Sequence, residues 1–485
     1  MKYQRLTVSF VLVFVIGICI TQAEARKPNF LFIFADDQAY DTIRSHGQHE
    51  IHTPNLDRLV SSGLTFTHAY NQGGYHGAVC VASRTMLNTG LYLWNARAAE
   101  GKLKSEYQAK GMMWSQLLGK AGYESYFTGK WHVKADTNVI FTKAQNVRGG
   151  MPNQTKEGYN RPIDGKPDPW SPYDPKFGGF WKGGKHWSEV VGDDAVEFLG
   201  HAAKRDNPFF MYIAFNAPHD PRQAPKKFVD MYPINKIALP EPFMPEYPWK
   251  DAMGCGKGLR DEKLAPFPRT ERSVKINRQE YYAIITHMDE QIGRILDALD
   301  KTGKADNTYI FFTADHGLGC GHHGLMGKQN VFDHSIRVPF MIAGPGVAKN
   351  KKNSAPIYMQ DVMPTTLELA GVDKPDYVQF ESLMPLVKGE KKQSRDAIYS
   401  AYVNKQRAVT MGDWKYITYP TAKKELLFNL KSDPWETKDL AGDSAHTSRI
   451  ADMKARLQQL QKETGDTLDL DAPVPVKKPR KKKTK

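Results

Sequence analysis

Two acidic clusters and an odd complement of cysteines are the features of this chain most suited to chemistry. Asp36 and Asp37 close one apolar run, and Asp315 with His316 closes another. Taken alone, an Asp-Asp pair at the end of a strand is most simply a turn or a helix cap. Two adjacent carboxylates facing a crevice, however, repel unless something cationic lies between them, and a further carboxylate at Asp315 strengthens the case for a metal. Hard oxygen donors of this kind suit Ca²⁺ or Mg²⁺.

Of the four cysteines, Cys19 falls in a segment that reads as a secretory signal peptide, residues 1–25. There Lys2 and Arg5 precede an apolar run, Val8 to Ile20, which ends at small-residue cleavage sites. The run is short for a membrane span, and no second long apolar segment follows, so a secreted or periplasmic protein without an integral membrane segment is expected. Cys80, Cys255 and Cys320 then remain, too few for a disulfide scaffold and odd in number for an oxidising compartment. One of them is expected to be free, modified or reactive.

The elements that must position these groups read as layers of strand and helix. The run from Asn29 to Ala35 is continuously apolar, as in a strand covered on both faces of a parallel sheet. Similar strands are predicted at Pro208 to Phe215 and Thr308 to Thr313, with shorter ones near Leu64 to His68 and Glu124 to Thr128. Helices are predicted near Asn55 to Ser62, Met112 to Ala121 and Arg278 to Leu299. The three apolar strands end in Asp36-Asp37, in Asn216 to His219 and in Asp315-His316. Ligands of open α/β sheets bind at the carboxyl ends of strands, so these endings are expected to converge.

Residues 138–187 lack periodicity and are rich in Gly, Pro, Lys and aromatics, which fits either a substrate-facing insertion or a surface covering. Residues 240–272 carry the same ambiguity. Beyond Gly371, short strands near 397–403, 408–411, 414–419 and 426–429 and a helix near 448–462 predict a small antiparallel sheet with one helix. The expected division is a catalytic part over 26–375, a small α+β part over 376–466 and a basic disordered tail over 467–485. Seven of the cations behind the net charge of +14 lie in residues 477–485. With an exported chain this tail argues for solubility or contact with a polyanion, not for a nucleic-acid partner.

The segment Cys80-Val81-Ala82-Ser83-Arg84, continuing to Thr89-Gly90, resembles the signature of the formylglycine-dependent sulfatases. In that family the cysteine is oxidised to formylglycine and an arginine follows four residues later. The commoner pattern has proline where this chain has Ala82, and some members carry alanine. The resemblance extends in order through Asp36-Asp37, Gly129 to His132, Pro218-His219, Asp315 to Gly317, Gly327-Lys328 and Phe332 to Pro339.

It implies an alkaline-phosphatase-like α/β fold, a large mixed sheet flanked by helices, with the smaller C-terminal sheet beside it. It also implies Asp36, Asp37, Asp315, His316 and modified Cys80 as metal ligands, Ca²⁺ or Mg²⁺ as the ion, and a maturation enzyme that makes the formylglycine. His316 stands where many members have asparagine. The implied catalytic set is Cys80, Arg84, Lys130, His132, His219 and Lys328. The aldehyde hydrate offers one hydroxyl to attack sulfur and a second to drive release of sulfate. His219 or Lys328 is expected to protonate the leaving alcohol, and His132 to take the proton of the second hydroxyl. A sulfated polysaccharide or its oligosaccharides is the expected substrate. A formylglycine-dependent phosphodiesterase or phosphonate monoester hydrolase, and a noncatalytic binder of sulfated glycans, are the alternatives.

Overall fold

The computed structural model describes residues 26–150 and 154–472. The expected signal peptide and residues 473–485 of the basic tail lie outside the described residues. In chain order the central sheet is built from β1 (Asn29–Asp36), β2 (Leu64–Phe66), β3 (Glu124–Lys130), β4 (Lys143–Arg148), β5 (Phe209–Pro218), β6 (Thr308–Ala314), β7 (Phe340–Ala343) and β8 (Lys351–Asn353). Their spatial order is β8-β2-β7-β6-β1-β5-β3-β4. The sheet is mixed: β6, β1, β5, β3 and β4 run parallel, whereas β7 is antiparallel to both β6 and β2.

Position explains composition. In β1, Phe30 to Phe34 are fully buried because strands flank them on both sides and layers cover both faces. Each such side chain contributes roughly 1.5–3 kcal/mol on burial. Trp114 packs edge-on against Phe32, ring centroids 5.1 Å apart, on one face. The edge strand β4 has a single partner and the polar sequence KAQNVR, so it falls inside a stretch without apolar periodicity.

Five helices matter for the site: α1 (Pro54–Ser62), α2 (Val79–Thr89), α3 (Trp187–Ala202), α4 (Glu271–Lys301) and α5 (Thr447–Thr464). α4 begins with a capping box in which the Ser273 amide donates to Thr270 Oγ1 at 3.1 Å and the Thr270 amide to Ser273 Oγ at 3.2 Å. α3 is capped by a histidine. His186 Nδ1 accepts from the Ser188 amide at 3.0 Å while Nε2 donates to the Gln223 carbonyl at 2.7 Å, which fixes a neutral ring. Burial holds this imidazole well below its ordinary value, and His287, at 4.6 Å between ring centroids, lowers it further.

Because the folded value is depressed, the unfolded chain takes up a proton that the folded chain refuses. Stability is therefore expected to fall as pH drops below about 6.5, by up to about 1.4 kcal/mol per pH unit from this group. Urea midpoints between about pH 7.5 and about pH 5.5 measure the slope. His186→Asn, which keeps a cap acceptor, should be less acid-sensitive, and an unchanged slope refutes the assignment.

The second sheet comprises β9 (Ile398–Tyr402), β10 (Gln406–Met411), β11 (Trp414–Tyr419) and β12 (Lys424–Asn429), antiparallel throughout, with α5 packed against it. A fifth strand, Gly73–Gly74, joins β9 in parallel. Gly73 has φ +95°, and a Cβ there would lie 2.0 Å from the Ala401 carbonyl oxygen, so no other residue fits. The small sheet is thus tied to the chain just ahead of α2.

Candidate functional site

Four adjacent parallel strands, β6, β1, β5 and β3, present Asp315, Asp36, His219 and Lys130 at or just beyond their carboxyl ends. Side chains alternate along a strand, so Asp36 and Asp37 would ordinarily point to opposite faces. Asp37 escapes this by adopting φ 69°. Its amide donates to Asp315 Oδ1 at 3.1 Å, and Tyr281 Oη donates to its carbonyl at 2.5 Å. A second irregularity serves Lys130: the register of β3 slips between Thr128 and Lys130. Gly129 takes φ +95° there, and a Cβ would sit 1.8 Å from the Ala214 carbonyl oxygen.

α2 delivers Cys80 in its first turn and Arg84 one turn later. Cys80 Sγ lies 3.3 Å from Asp36 Oδ1 and 3.8 Å from Asp37 Oδ1, and Lys328 Nζ is 3.1 Å from the sulfur. Lys130 Nζ donates to Asp36 Oδ2, and Lys328 Nζ donates to both Asp37 oxygens at 2.5 Å. Arg84 Nε donates to Asp315 Oδ2 at 2.9 Å and Nη1 to the Lys130 carbonyl at 2.5 Å. Three buried carboxylates therefore face three buried cations, which is how such charges survive away from water.

The electrostatics follow from that pairing. Burial pushes the Asp36 carboxyl up, but Lys130, His219, Arg84 and Lys328 together hold it well below the usual carboxylate range. Asp315 is raised to about 6 by burial and by the neighbouring Asp36. Burial pushes the Cys80 thiol well up, with Asp315 and Asp36 adding to it, so the unmodified residue is a thiol and a poor nucleophile. His132 is lowered to about 3 by burial and then by Lys130 and Arg84.

Asp36, Asp37, Cys80 and His219 place one donor atom each within 4.8 Å of one another, a cluster able to hold a metal ion. The carboxylate-rich donor set fits a hard divalent cation. Asp315 and His316 lie outside this group of four. The Asp315 carboxylate is taken up by Arg84 and the Asp37 amide, while His316 Nε2 is buried with no hydrogen-bond partner. His219 Nε2 is 3.3 Å from Asp37 Oδ2, at ion-pair distance but out of line for a hydrogen bond.

Above Cys80 opens a cavity of about 340 Å³, walled by His132, His219, Arg260, Asp261, Lys328 and Gln329 among others. Of the six residues expected to be catalytic, Cys80, His132, His219 and Lys328 line it, whereas Arg84 and Lys130 do not and are buried against Asp315 and Asp36. Arg260, Asp261 and Asp220 are additions. Arg260 pairs with Asp220 at 2.5 and 3.0 Å and with Asp261 at 2.8 Å, and His219 Nδ1 is 3.1 Å from Asp220 Oδ1. Asp220 directly follows His219 and was open to notice in the sequence, whereas Arg260 and Asp261 sit in the aperiodic stretch 240–272. Of the aromatics in the stretch 138–187, Trp170, Phe177 and Phe180 are buried and Tyr173 is exposed, and none lines the cavity.

A family model described as Sulfatase matches residues 28–372, and one described as N-sulphoglucosamine sulphohydrolase, C-terminal, matches residues 321–463. The chain is 30% identical over 473 residues to an arylsulfatase of Clostridium perfringens (strain 13 / Type A), covering 87% of this chain and 92% of that protein. It is similar to a structure solved in complex with its substrate D-glucosamine-2-N,6-O-disulfate, with a TM-score of 0.72 and 22% identity over 92% of this chain and 99% of the other. It is also similar to the phosphonate monoester hydrolase of Agrobacterium radiobacter, TM-score 0.70 and 20% identity over 90% and 96% of the two chains. At those identities the two structures speak for the fold. The match over 28–372 spans the strands that carry the cluster, and with it the chain belongs to the sulfatase family, as a sulfuric ester hydrolase of alkaline-phosphatase-like fold.

Proposed function

We propose that this sulfatase removes sulfate from a sulfated saccharide, with Cys80 matured to formylglycine and Ca²⁺ bound beside it. The observation that carries the reading is the placement of Cys80, at the cavity floor between two carboxylates that are each paired with a buried lysine. Asp36, Asp37, Asp315, His316 and the matured Cys80 are the ligands assigned to the cation, with His219 near enough to share the site. When bound, that cation supplies Lewis acidity and offsets negative charge at the reacting oxygens.

The remaining work falls to side chains of this chain. Arg84, Lys130 and Lys328 offset the Asp315, Asp36 and Asp37 charges, so an added divalent cation leaves the cluster net positive and attractive to an anionic ester. Asp220 orients His219 so that Nε2 faces the site, where His219 or Lys328 protonates the leaving alcohol oxygen. His132, neutral at working pH and set in the cavity wall, is the group assigned the proton of the second hydroxyl during sulfate release. Arg260, Asp261 and Gln329 offer the cavity wall both donors and acceptors, the mixture that sugar hydroxyls need.

The solved structure holding a disulfated glucosamine and the mixed donors and acceptors of the cavity wall support a sulfated saccharide, and an aryl sulfate is the comparison substrate because the 30% identical relative is an arylsulfatase. Cys80 is only 2% exposed, so its maturation is assigned to a stage before the fold closes. No helix among the described residues is long and apolar enough to cross a membrane. We assign catalysis to residues 26–375, with 376–466 as a supporting part, and place the protein in the periplasm or outside the cell.

Release of inorganic sulfate from a panel of defined sulfated oligosaccharides tests the substrate class. Parallel assays on an aryl sulfate and an aryl phosphodiester test the reaction, since the phosphonate monoester hydrolase shares the fold. Turnover of sulfate esters is expected, and a phosphodiester preference of orders of magnitude overturns the proposal. Mass spectrometry of the peptide carrying residue 80 should show an aldehyde in place of the thiol.

A further inference from the structure

A second cavity, about 180 Å³, opens between the segment Tyr40 to His46, the residues around His322 and His334, and the turn at Trp435. It shares no lining residue with the Cys80 cavity. Four histidines line it, and three of them are locked by backbone carbonyls. His46 Nδ1 is 2.9 Å from the Tyr40 carbonyl oxygen, His322 Nδ1 is 2.6 Å from that of Gly319, and His323 Nε2 is 3.1 Å from that of Glu436. A carbonyl can only accept, so each ring carries its proton on that nitrogen and a lone pair on the other. This is the arrangement in which metal-ligating histidines are held.

The free lone pairs have no donor. His46 Nε2 and His323 Nδ1 are buried without a partner, and His334 lacks one at both nitrogens. His322 Nε2 faces another acceptor, Asp41 Oδ2, at 3.7 Å. The His334 ring lies 5.3 Å from that of His322 and 5.5 Å from that of His323, centroid to centroid. His322, His323 and His334 are all less than 9% exposed. Burial lowers all three below the ordinary histidine value, His323 to about 4, so the rings are neutral at neutral pH.

The nearby charges are otherwise engaged. Arg337 Nε donates to the Thr67 carbonyl at 2.7 Å and its guanidinium lies 4.0 Å over the Tyr40 ring. Lys415 pairs with Asp333 at 2.8 Å and with Glu436 at 2.7 Å. The lone pairs of His46, His322 and His323 and the Asp41 carboxylate line this cavity with no hydrogen-bond donor supplied to them, and imidazole with one carboxylate selects a borderline metal over a hard one. Two ligand atoms of a tetrahedral Zn²⁺ stand roughly 3.3–3.5 Å apart, close to the 3.7 Å between His322 Nε2 and Asp41 Oδ2.

We propose that His322, His334 and Asp41 form a second metal site, for a borderline divalent cation such as Zn²⁺, with His46 and His323 as neighbouring lone-pair donors. Among the described residues only the Asp36 cluster already has three ligand atoms within 4.8 Å, so here the His334 ring, which has no hydrogen bond at either nitrogen, turns about its side-chain bonds to bring a lone pair to the His322–Asp41 pair.

The test is equilibrium dialysis of the full-length, matured enzyme against Zn²⁺ in excess Ca²⁺, which keeps the hard-cation site filled. One Zn²⁺ per chain is expected, and Co²⁺ in its place should show the visible absorption of a nitrogen-ligated ion. His322→Ala and His334→Ala should each weaken Zn²⁺ binding by more than about tenfold, with Asp41→Asn as a third variant should either fail to fold. Cys80→Ala should bind Zn²⁺ unchanged. The proposal is overturned if no Zn²⁺ binds, if all three cavity variants bind it as the parent does, or if Cys80→Ala loses it. None of these readouts uses sulfate hydrolysis, so failure here leaves the proposed function standing, and the reverse.

Discussion

Cys80→Ser is expected to lose multiple turnover by at least about 10⁴-fold and to accumulate a covalently sulfated enzyme. A serine in this position keeps the neighbours of the thiol, whose sulfur lies 3.3 Å from Asp36 and 3.1 Å from the Lys328 ammonium. Its hydroxyl can attack sulfur and displace the alcohol, forming an ordinary sulfate monoester on the side chain. It has no second hydroxyl on the same carbon, so the ester cannot be expelled by C–O cleavage and must await water at sulfur. Intact mass spectrometry after exposure to substrate should show one added sulfo group, absent in Cys80→Ala. Sustained turnover by the serine variant would remove the need for a formylglycine and sink the scheme.

The second large effect is expected at Arg84. This side chain is fully buried, and burial alone would lower its affinity for its proton. Asp315 and Asp36 reverse that and hold the guanidinium charged. Arg84→Ala leaves Asp315 without its 2.9 Å partner and Asp36 with one fewer counter-charge, and breaking a buried pair in this way costs about 3–5 kcal/mol. The Lys130 carbonyl also loses a donor, which loosens the end of β3 that aims the Lys130 ammonium at Asp36.

Activity should fall by about 10²–10³-fold or more even in the fraction that folds, since Asp315 and Lys130 lose the group that holds them in place beside Asp36. Arg84→Lys keeps the charge but cannot span Asp315 and the Lys130 carbonyl at once, and should recover stability more than activity. Urea denaturation beside steady-state kinetics separates the two effects. Full stability in Arg84→Ala would mean that Asp315 is compensated by some other group, and the charge balance described here would be wrong.

Much of the site was legible before any coordinates. Apolar runs announced the buried strands β1, β5 and β6, because a strand covered on both faces has no polar side to display. Their polar endings marked the carboxyl edge of the sheet, and the ordered motifs from Asp36 to Lys328 named the groups that the fold gathers around Cys80. Elements under weaker constraint escaped. The edge strand β4 needs no apolar pattern with one partner, and Gly73–Gly74 carries no strand signal, since its pairing rests on the absence of side chains. Arg260 and Asp261 reach the cavity from a loop whose path is set by what it packs against.

Residue types and their order therefore determined by themselves which groups this protein brings to its chemistry, because hydrophobic patterning and short motifs are local. How those groups face one another was decided only in three dimensions. Asp36 and Asp37 share one side of the sheet because Asp37 adopts a left-handed conformation held by Asp315 and Tyr281, residues more than two hundred positions away. The same holds for His323 and His334: the chain places them in one neighbourhood, but only packing leaves His323 Nδ1 and both His334 nitrogens without partners. Contacts between distant segments choose backbone conformation and tautomer, and neither is written in the local sequence.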